Sequence, residues 1–596
     1  MEGGPQAIGA FKIGTEVTRF DARPCGAILC HNLEEIPGQL QNLVSLRHRL
    51  VEPNEDLQMP LGIGKLTCLR TLKFFSVGYE NGRRIEELGS LKNLKGELAI
   101  RNLEYVSHKV EAKRACLFEK PNIHKLELVW NCSREGNNLN DEQVLEGLES
   151  FPNIKNLKIS GFCGDNFPSW IMNTTVDEQF RLHKLIKLKL IDCERCAEVP
   201  TLGHLPQLKF LELNGLKNVK SIEWIEVSPD NASRLVIAFP RLESLKIVYC
   251  YNMSNAPAHG FPCLKELKIA GVKRGAVLLD KICGNNLSSL TLQYVSDITC
   301  LPKRLLYDNQ RLSSLIIYGC SSLTYLEFPS HSIQSLENVG IYDCDKLKSI
   351  RYFIQGGLAD YPNSLRALRV VGCQNLTNFS STMLETCNSL EILHVSNCNN
   401  LVSFSVDCER MPRLSSLDIT ECTKLRSLPR HSLSTVSHLR ELSIGPFSKE
   451  VDFASFCEIF DSISQPQSLE ALTLYGWPKF KSLPNELQHL TALSSFRLFN
   501  FGIEALPEWF GKLSSLEYVT LTRCTRLRNF PSKKAMRCLT KLRELYIRAC
   551  PLLSERCKPD QSEWHKISHI PEIEVEAKTN VPLERIGGNK HYARDE

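Results

Sequence analysis

Cys193-Glu-Arg-Cys196 is the spacing in this chain most suited to chemistry, because two thiolates three residues apart can hold one edge of a tetrahedral zinc. A structural zinc needs four ligands, and no second CxxC or His pair follows at a matching distance. Gly62-Ile-Gly64-Lys65 has the outline of a phosphate loop, whose amides and lysine cradle phosphate oxygens. That loop requires Gly five residues before its second Gly and Ser or Thr after the Lys; this chain has Met59 and Leu66 there. The 15 histidines are scattered, and no GxSxG, HExxH or GxGxxG occurs. His394 lacks a carboxylate partner in its own stretch and reads as a surface polar residue rather than a general base. These residues predict no catalytic, metal-binding or cofactor-binding site.

The cysteines point instead to an architecture. Nine of the 24 (Cys193, Cys250, Cys320, Cys344, Cys373, Cys398, Cys422, Cys524 and Cys550) close a recurring LxxLxLxxC unit. Leu365 to Cys373, Leu390 to Cys398 and Leu414 to Cys422 are three consecutive examples. Nineteen such units run from Leu69 to Cys550, most of them 22 to 31 residues apart. A period in that range gives each repeat one short strand and one return segment, stacked into a solenoid. The spacing therefore predicts an α/β solenoid. This is a leucine-rich-repeat horseshoe with a parallel β-sheet on its concave face and an irregular or short helical convex side.

Within a unit the apolar residues at positions one, four and six alternate with polar ones, the period of two of a strand with one face inward. Leu323, Leu326, Leu425, Leu428, Leu527 and Phe530 follow the cysteines and fill the core from the return side. Pro429 and Pro531 there argue against long convex helices. The closing thiols behave as small buried hydrophobes. Stacking brings neighbouring cysteines to ~4.8 Å, close enough for a disulfide, so geometry leaves both states open. Reduced thiols follow if the chain stays inside the cell.

Composition fits that setting. A net charge of +5 on 72 basic and 67 acidic residues is too small to argue for nucleic acid. No stretch reaches the ~18 apolar residues of a membrane span. Met1-Glu-Gly-Gly-Pro5 opens on an acidic residue with no apolar run behind it, so an intracellular, cytoplasmic protein is expected. Seven Asn-x-Ser/Thr sequons, such as Asn131-Cys-Ser133, are then accidental. The period breaks at 131–143, 226–238 and 446–466, which read as insertions.

In order along the chain, Gly62 to Leu72, Ile85 to Ile100, Asn102 to Val106, Val144 to Leu148, Phe167 to Ile171 and Leu202 to Lys209 resemble one family closely. It is the plant intracellular coiled-coil, nucleotide-binding, leucine-rich-repeat disease resistance proteins. Cys550 to Cys557 and Ile567 to Pro571 look like the family's closing cap. The expected domains are a non-repeat segment at 1–30, a solenoid of about 19–20 repeats at 31–550, a cap at 551–576 and a disordered tail at 577–596. Members carry a nucleotide-binding module before the repeats, and the residues ahead of the repeats here are not expected to form one. The resemblance thus implies a truncated or fragmentary receptor, or a member without its front half.

The outward strand positions are where such a scaffold would bind. Their centres read Lys158, Lys189, Glu212, Lys246 and Lys268 in consecutive repeats. Four like charges ~5 Å apart repel one another, and the choice is a solvated face or a surface for an acidic partner. Two positions on, Tyr318 with Tyr342 and Tyr475 with Phe499 fall on adjacent rungs. They either stabilise the ladder or anchor a ligand. The resemblance implies protein partners only: a pathogen effector or guarded host protein, and a nucleotide-binding module in cis or in trans. Two rivals remain. F-box adaptors of ubiquitin ligases also carry Cys-ended repeats, although those continue into helices where this chain has Leu-Pro turns. The sequons favour an extracellular receptor, and the N-terminus does not.

Overall fold

The computed structural model describes residues 46–576 apart from loop segments, of which the longest are 52–58, 132–139, 173–181, 223–237, 354–363, 405–410, 427–437 and 461–467. It also describes the short strands Phe11–Ile13, Glu16–Thr18 and Ala27–Cys30. Leu428, Pro429, most of 226–238 and the tail from 577 lie outside the described residues. The chain divides into two units, Met1–Asp297 and Ile298–Glu596.

In the first unit, nine strands from Phe74–Ser76 to Ser289–Gln293 pair in parallel, each with the next in sequence. Ahead of them, Ala27–Cys30, His48–Val51 and Thr71–Leu72 form a separate parallel ladder. A parallel rung thus already stands within the segment that shows no repeat in sequence. In the second unit, eleven strands from Ser314–Tyr318 to Glu572–Glu576 also pair in parallel, each with the strand of the next repeat. The last of these belongs to the cap, so the ladder runs one rung past the final LxxLxLxxC unit.

The register is that of the repeat pattern. Leu368 aligns with Val339 and Leu393, and Arg369 with Gly340 and His394. Leu368 and Val370 are fully buried. All nine closing cysteines are buried thiols. Cys344, Cys373, Cys398 and Cys422 form a file in which each thiol hydrogen-bonds its neighbour, and burial helps to hold Cys373 and Cys398 protonated. The backbone reverses just before these cysteines in the left-handed region, at φ 53 for Asp192, 51 for Tyr249, 53 for Asn397 and 54 for Glu421. Gly372, at φ 72, occupies the same place without a steric penalty.

The return side is short-helical and irregular; its longest described helix, Gly275–Ile282, has 8 residues. It also holds a small parallel sheet of Tyr325–Pro329, Ser349–Phe353 and Asn378–Phe379, which the strand pattern did not announce. Two insertions are partly built into the core. Helix Asp141–Gly147 begins inside the stretch expected as an exposed loop, and the buried Asp141 accepts a hydrogen bond from Cys163 N at 3.1 Å. Acidic residues directly after Asn140 favour a helix start, which explains the shorter loop. Helix Phe453–Cys457 is capped by Asp452, which accepts from Ser455 N at 2.8 Å. It seats Phe456 against Phe460, Phe480 and Phe501.

Candidate recognition surface

The two motifs with chemical outlines are occupied by structure. Gly64 N donates to Glu87 Oε2 at 2.7 Å, so the amide a phosphate would need is already taken, and Ile63 is buried. Cys193 and Cys196 are buried, donating to Ile191 O at 3.6 Å and Gly164 O at 3.3 Å. Burial pushes the Cys196 thiol up to about 12, which opposes the thiolate a metal requires.

In the first unit the outward central column reads Glu127, Lys158, Lys189, Glu212, Lys246 and Lys268 on successive rungs. Lys189 Nζ lies 2.8 Å from Glu212 Oε2, and Lys158 Nζ lies 3.8 Å from Glu127 Oε2. Half of the lysine stripe is therefore compensated, and the picture of four mutually repelling lysines gives way. Lys246 and Lys268, paired rung to rung, make no ion pair among the described residues. Lys187 stands nearby over the Phe210 ring, 5.9 Å from its centroid, with its pKa lowered by burial and then by Lys189. The unspent positive charge is concentrated at these three. Glu127 was visible in sequence at the same place in Leu126-Glu-Leu128, one repeat before the column was read.

In the second unit, outward side chains of successive rungs enclose a recess of about 550 Å³. His394, Asp418, Tyr475, Arg497, Tyr518 and Tyr546 define it. Ser416 Oγ donates to Glu441 Oε2 at 3.1 Å, so the His394 Nε2 that lies 3.0 Å from Ser416 Oγ must be the donor of that pair. Burial, and then Arg369, hold His394 down to about 4, keeping the ring neutral. A serine whose proton faces a carboxylate, beside an imidazole that donates to it, is not arranged as a nucleophile and base.

Asp418, on the rung after His394, accepts from Thr420 Oγ1 at 2.7 Å and has no cation paired with it among the described residues. Burial, with Glu421 adding to it, pushes its carboxyl up to about 6. Its surface is recessed rather than sealed, since the residue retains intermediate exposure. Arg497, three rungs away, is exposed and makes no hydrogen bond or ion pair among the described residues.

The aromatic pairs divide. Tyr475 and Phe499 stack at 4.5 Å with an 11° interplanar angle, but Phe499 is only 4% exposed. Phe499 is therefore a buried support for Tyr475 rather than an exposed anchor. Tyr318 and Tyr342 sit 6.2 Å apart outside the recess, with the Tyr342 ring lying across Gly340 where a Cβ would come within 2.6 Å.

Comparison with known proteins places this architecture. Residues 85–216 match the family model described as R13L1/DRL21 LRRs. Disease resistance protein RGA2 of Solanum bulbocastanum is 32% identical over 271 residues, covering 44% of this chain and 27% of that protein. RGA4 of the same species is 31% identical over 317 residues, covering 50% of this chain and 30% of that one. RPP13-like protein 1 of Arabidopsis thaliana is 29% identical over 319 residues, 51% of this chain and 29% of that one. The repeats are similar to those of plant disease resistance proteins. The chain spans less than a third of the length of these relatives.

In this repeat array the sequence alone set His394 aside and did not single out Asp418 or Arg497. The signal lay down the columns: Asp418 follows His394 by one 24-residue repeat, in the same strand position. Asp418 also carries a stability signature. Its folded pKa is raised, so the carboxyl's contribution is complete below pH ~4 and is lost as pH rises through about 6. Asp418→Asn is expected to be more stable than the native chain by about 2 kcal/mol at pH 7.5 and equal to it near pH 4. Urea denaturation at the two pH values checks this; destabilisation at both would mean the carboxylate holds the fold.

Proposed function

We infer that this array is a non-catalytic protein-recognition scaffold of plant defence, acting inside the cell. In this reading the second unit senses a pathogen effector or a modified host protein. The lysine face of the first unit contacts a nucleotide-binding switch module, in cis or in trans. What supports it most is the division of unspent groups between the two outward faces. Uncompensated cations gather at Lys187, Lys246 and Lys268 in one unit, and a polar and aromatic recess lies in the other. Neither set is needed for the core. Among the described residues no helix is long and apolar enough to cross a membrane.

Reversing Lys246 and Lys268 to Glu should weaken association with a purified nucleotide-binding module of a family member by roughly tenfold or more at low salt. Reversing Lys158 and Lys189, already paired with carboxylates, should weaken it less. Raising ionic strength to the physiological range should erode the native association in the same direction. Binding that survives the first pair of reversals would remove the switch contact from this face.

A further inference from the structure

The recess in the second unit is shaped for a narrower class of ligand than "protein". Its central column runs Asp418, Ser443, Thr473, Arg497 on successive rungs. The two inner residues are small hydroxyl side chains, so the floor is low between a carboxylate and a guanidinium. At ~4.8 Å per rung the two charged groups stand about 14 Å apart. Neither has a partner of opposite charge among the described residues. Left alone at that distance they gain almost nothing from each other in water. Tyr475, stacked on Phe499, forms a wall on one side; Glu441, Ala471 and Ser495 occupy the neighbouring column on the other. Tyr518 and Tyr546 stand at the Arg497 end.

An extended peptide advances ~3.3–3.4 Å per residue, so about four residues span the distance from Asp418 to Arg497. The hydroxyls of Ser443 and Thr473 can meet the backbone groups of a segment lying along this floor, and Thr520 follows on the rung beyond Arg497. The Asp418 end offers two carboxylates, Asp418 and Glu441, beside the Tyr475 ring, a setting that suits a lysine or arginine side chain. The Arg497 end offers an open fork for a carboxylate.

We propose that the recess binds an extended segment of a protein ligand that places a basic side chain at Asp418 and a carboxylate at Arg497, four residues apart. The assignment rests on the reading of the array as a protein-recognition scaffold and gives that scaffold a specificity for charge spacing. The spacing is part of it: basic and acidic groups set one or two residues apart do not reach both ends of the recess.

The test is selection of a phage-displayed random dodecapeptide library on the full 596-residue chain, read by sequencing. Peptides with a basic residue four positions from an acidic one should be enriched at least tenfold over other spacings. That preference should disappear with Asp418→Asn and with Arg497→Gln, each checked for an unchanged circular dichroism spectrum. The double exchange Asp418→Arg with Arg497→Glu should restore selection of a basic and an acidic residue four positions apart, a recovery that an unfolded protein cannot show. Enrichment indifferent to Asp418 and Arg497, or no enrichment at all, overturns the proposal. Either result leaves the scaffold reading to its own test, because binding of the switch module is read through Lys246 and Lys268.

Discussion

Glu563→Ala is expected to unravel the C-terminal end of the ladder, at a local cost of about 3–5 kcal/mol. Glu563 is 2% exposed and stands at the start of helix Trp564–Ile567. Its Oε2 accepts from Phe530 N at 2.7 Å and pairs with Lys566 Nζ at 2.9 Å, while Oε1 lies 3.9 Å from Arg556. Lys566 in turn donates to Phe530 O at 3.1 Å, so one carboxylate closes a ring joining the cap to the return segment that follows Cys524. Removing it strands a buried N–H and leaves Lys566, 17% exposed, without its counter-charge. Repeats interact only with their neighbours, so the damage should stay local. Amide hydrogen exchange should show protection lost over roughly residues 530–576 and retained upstream. Glu563→Gln, which keeps the acceptor for Phe530 N, should lose much less. Uniform loss of protection along the second unit would show that the cap is coupled to the array as a whole.

Leu368→Ala should cost about 2–5 kcal/mol, whereas Arg369→Ala should fall near zero. The two residues are neighbours in one strand and differ only in the face they occupy. Leu368 is fully buried between Val339 and Leu393 on the flanking rungs. Arg369 faces outward, and its Nη1 donates to Asn338 Oδ1 at 3.2 Å, a bond that water can replace. Denaturant melts of the two variants decide the point. Comparable losses at both positions would mean that the strand is shifted by one residue, which would turn every outward side chain into the core.

The register was legible in the sequence because burial on one face of a strand imposes a period of two, and Leu-x-x-Leu-x-Leu repeats that constraint in each rung. The buried cysteines were legible for the same reason. What escaped is whatever depends on neighbours a whole repeat away. The partner of Lys158 is Glu127 and the neighbour of His394 is Asp418, residues separated by about one turn of the solenoid and by loops of unequal length. Phe499 shows the opposite error: an outward strand position does not guarantee exposure when the adjacent rung supplies a ring to cover it. The sheet through Tyr325–Pro329 escaped because its residues follow the cysteines, where the pattern promises only apolar filling.

The left-handed reversal before the closing residue limits which side chains stand there. Glycine is the cheapest occupant of that backbone, and Gly161, Gly215, Gly271, Gly319 and Gly372 use it, yet the same place holds Tyr249, Tyr294, Asp343, Glu421 and Arg523 elsewhere. Each side chain other than Gly, Asn or Asp there carries a conformational penalty of roughly 1–2 kcal/mol. Tyr249 and Tyr294 are 45% and 52% exposed, so core packing does not return it. Among the described repeats most of these places hold Gly, Asn or Asp, and Tyr249, Tyr294, Glu421 and Arg523 are departures, standing where a side chain disturbs neither the ladder nor the core beneath it.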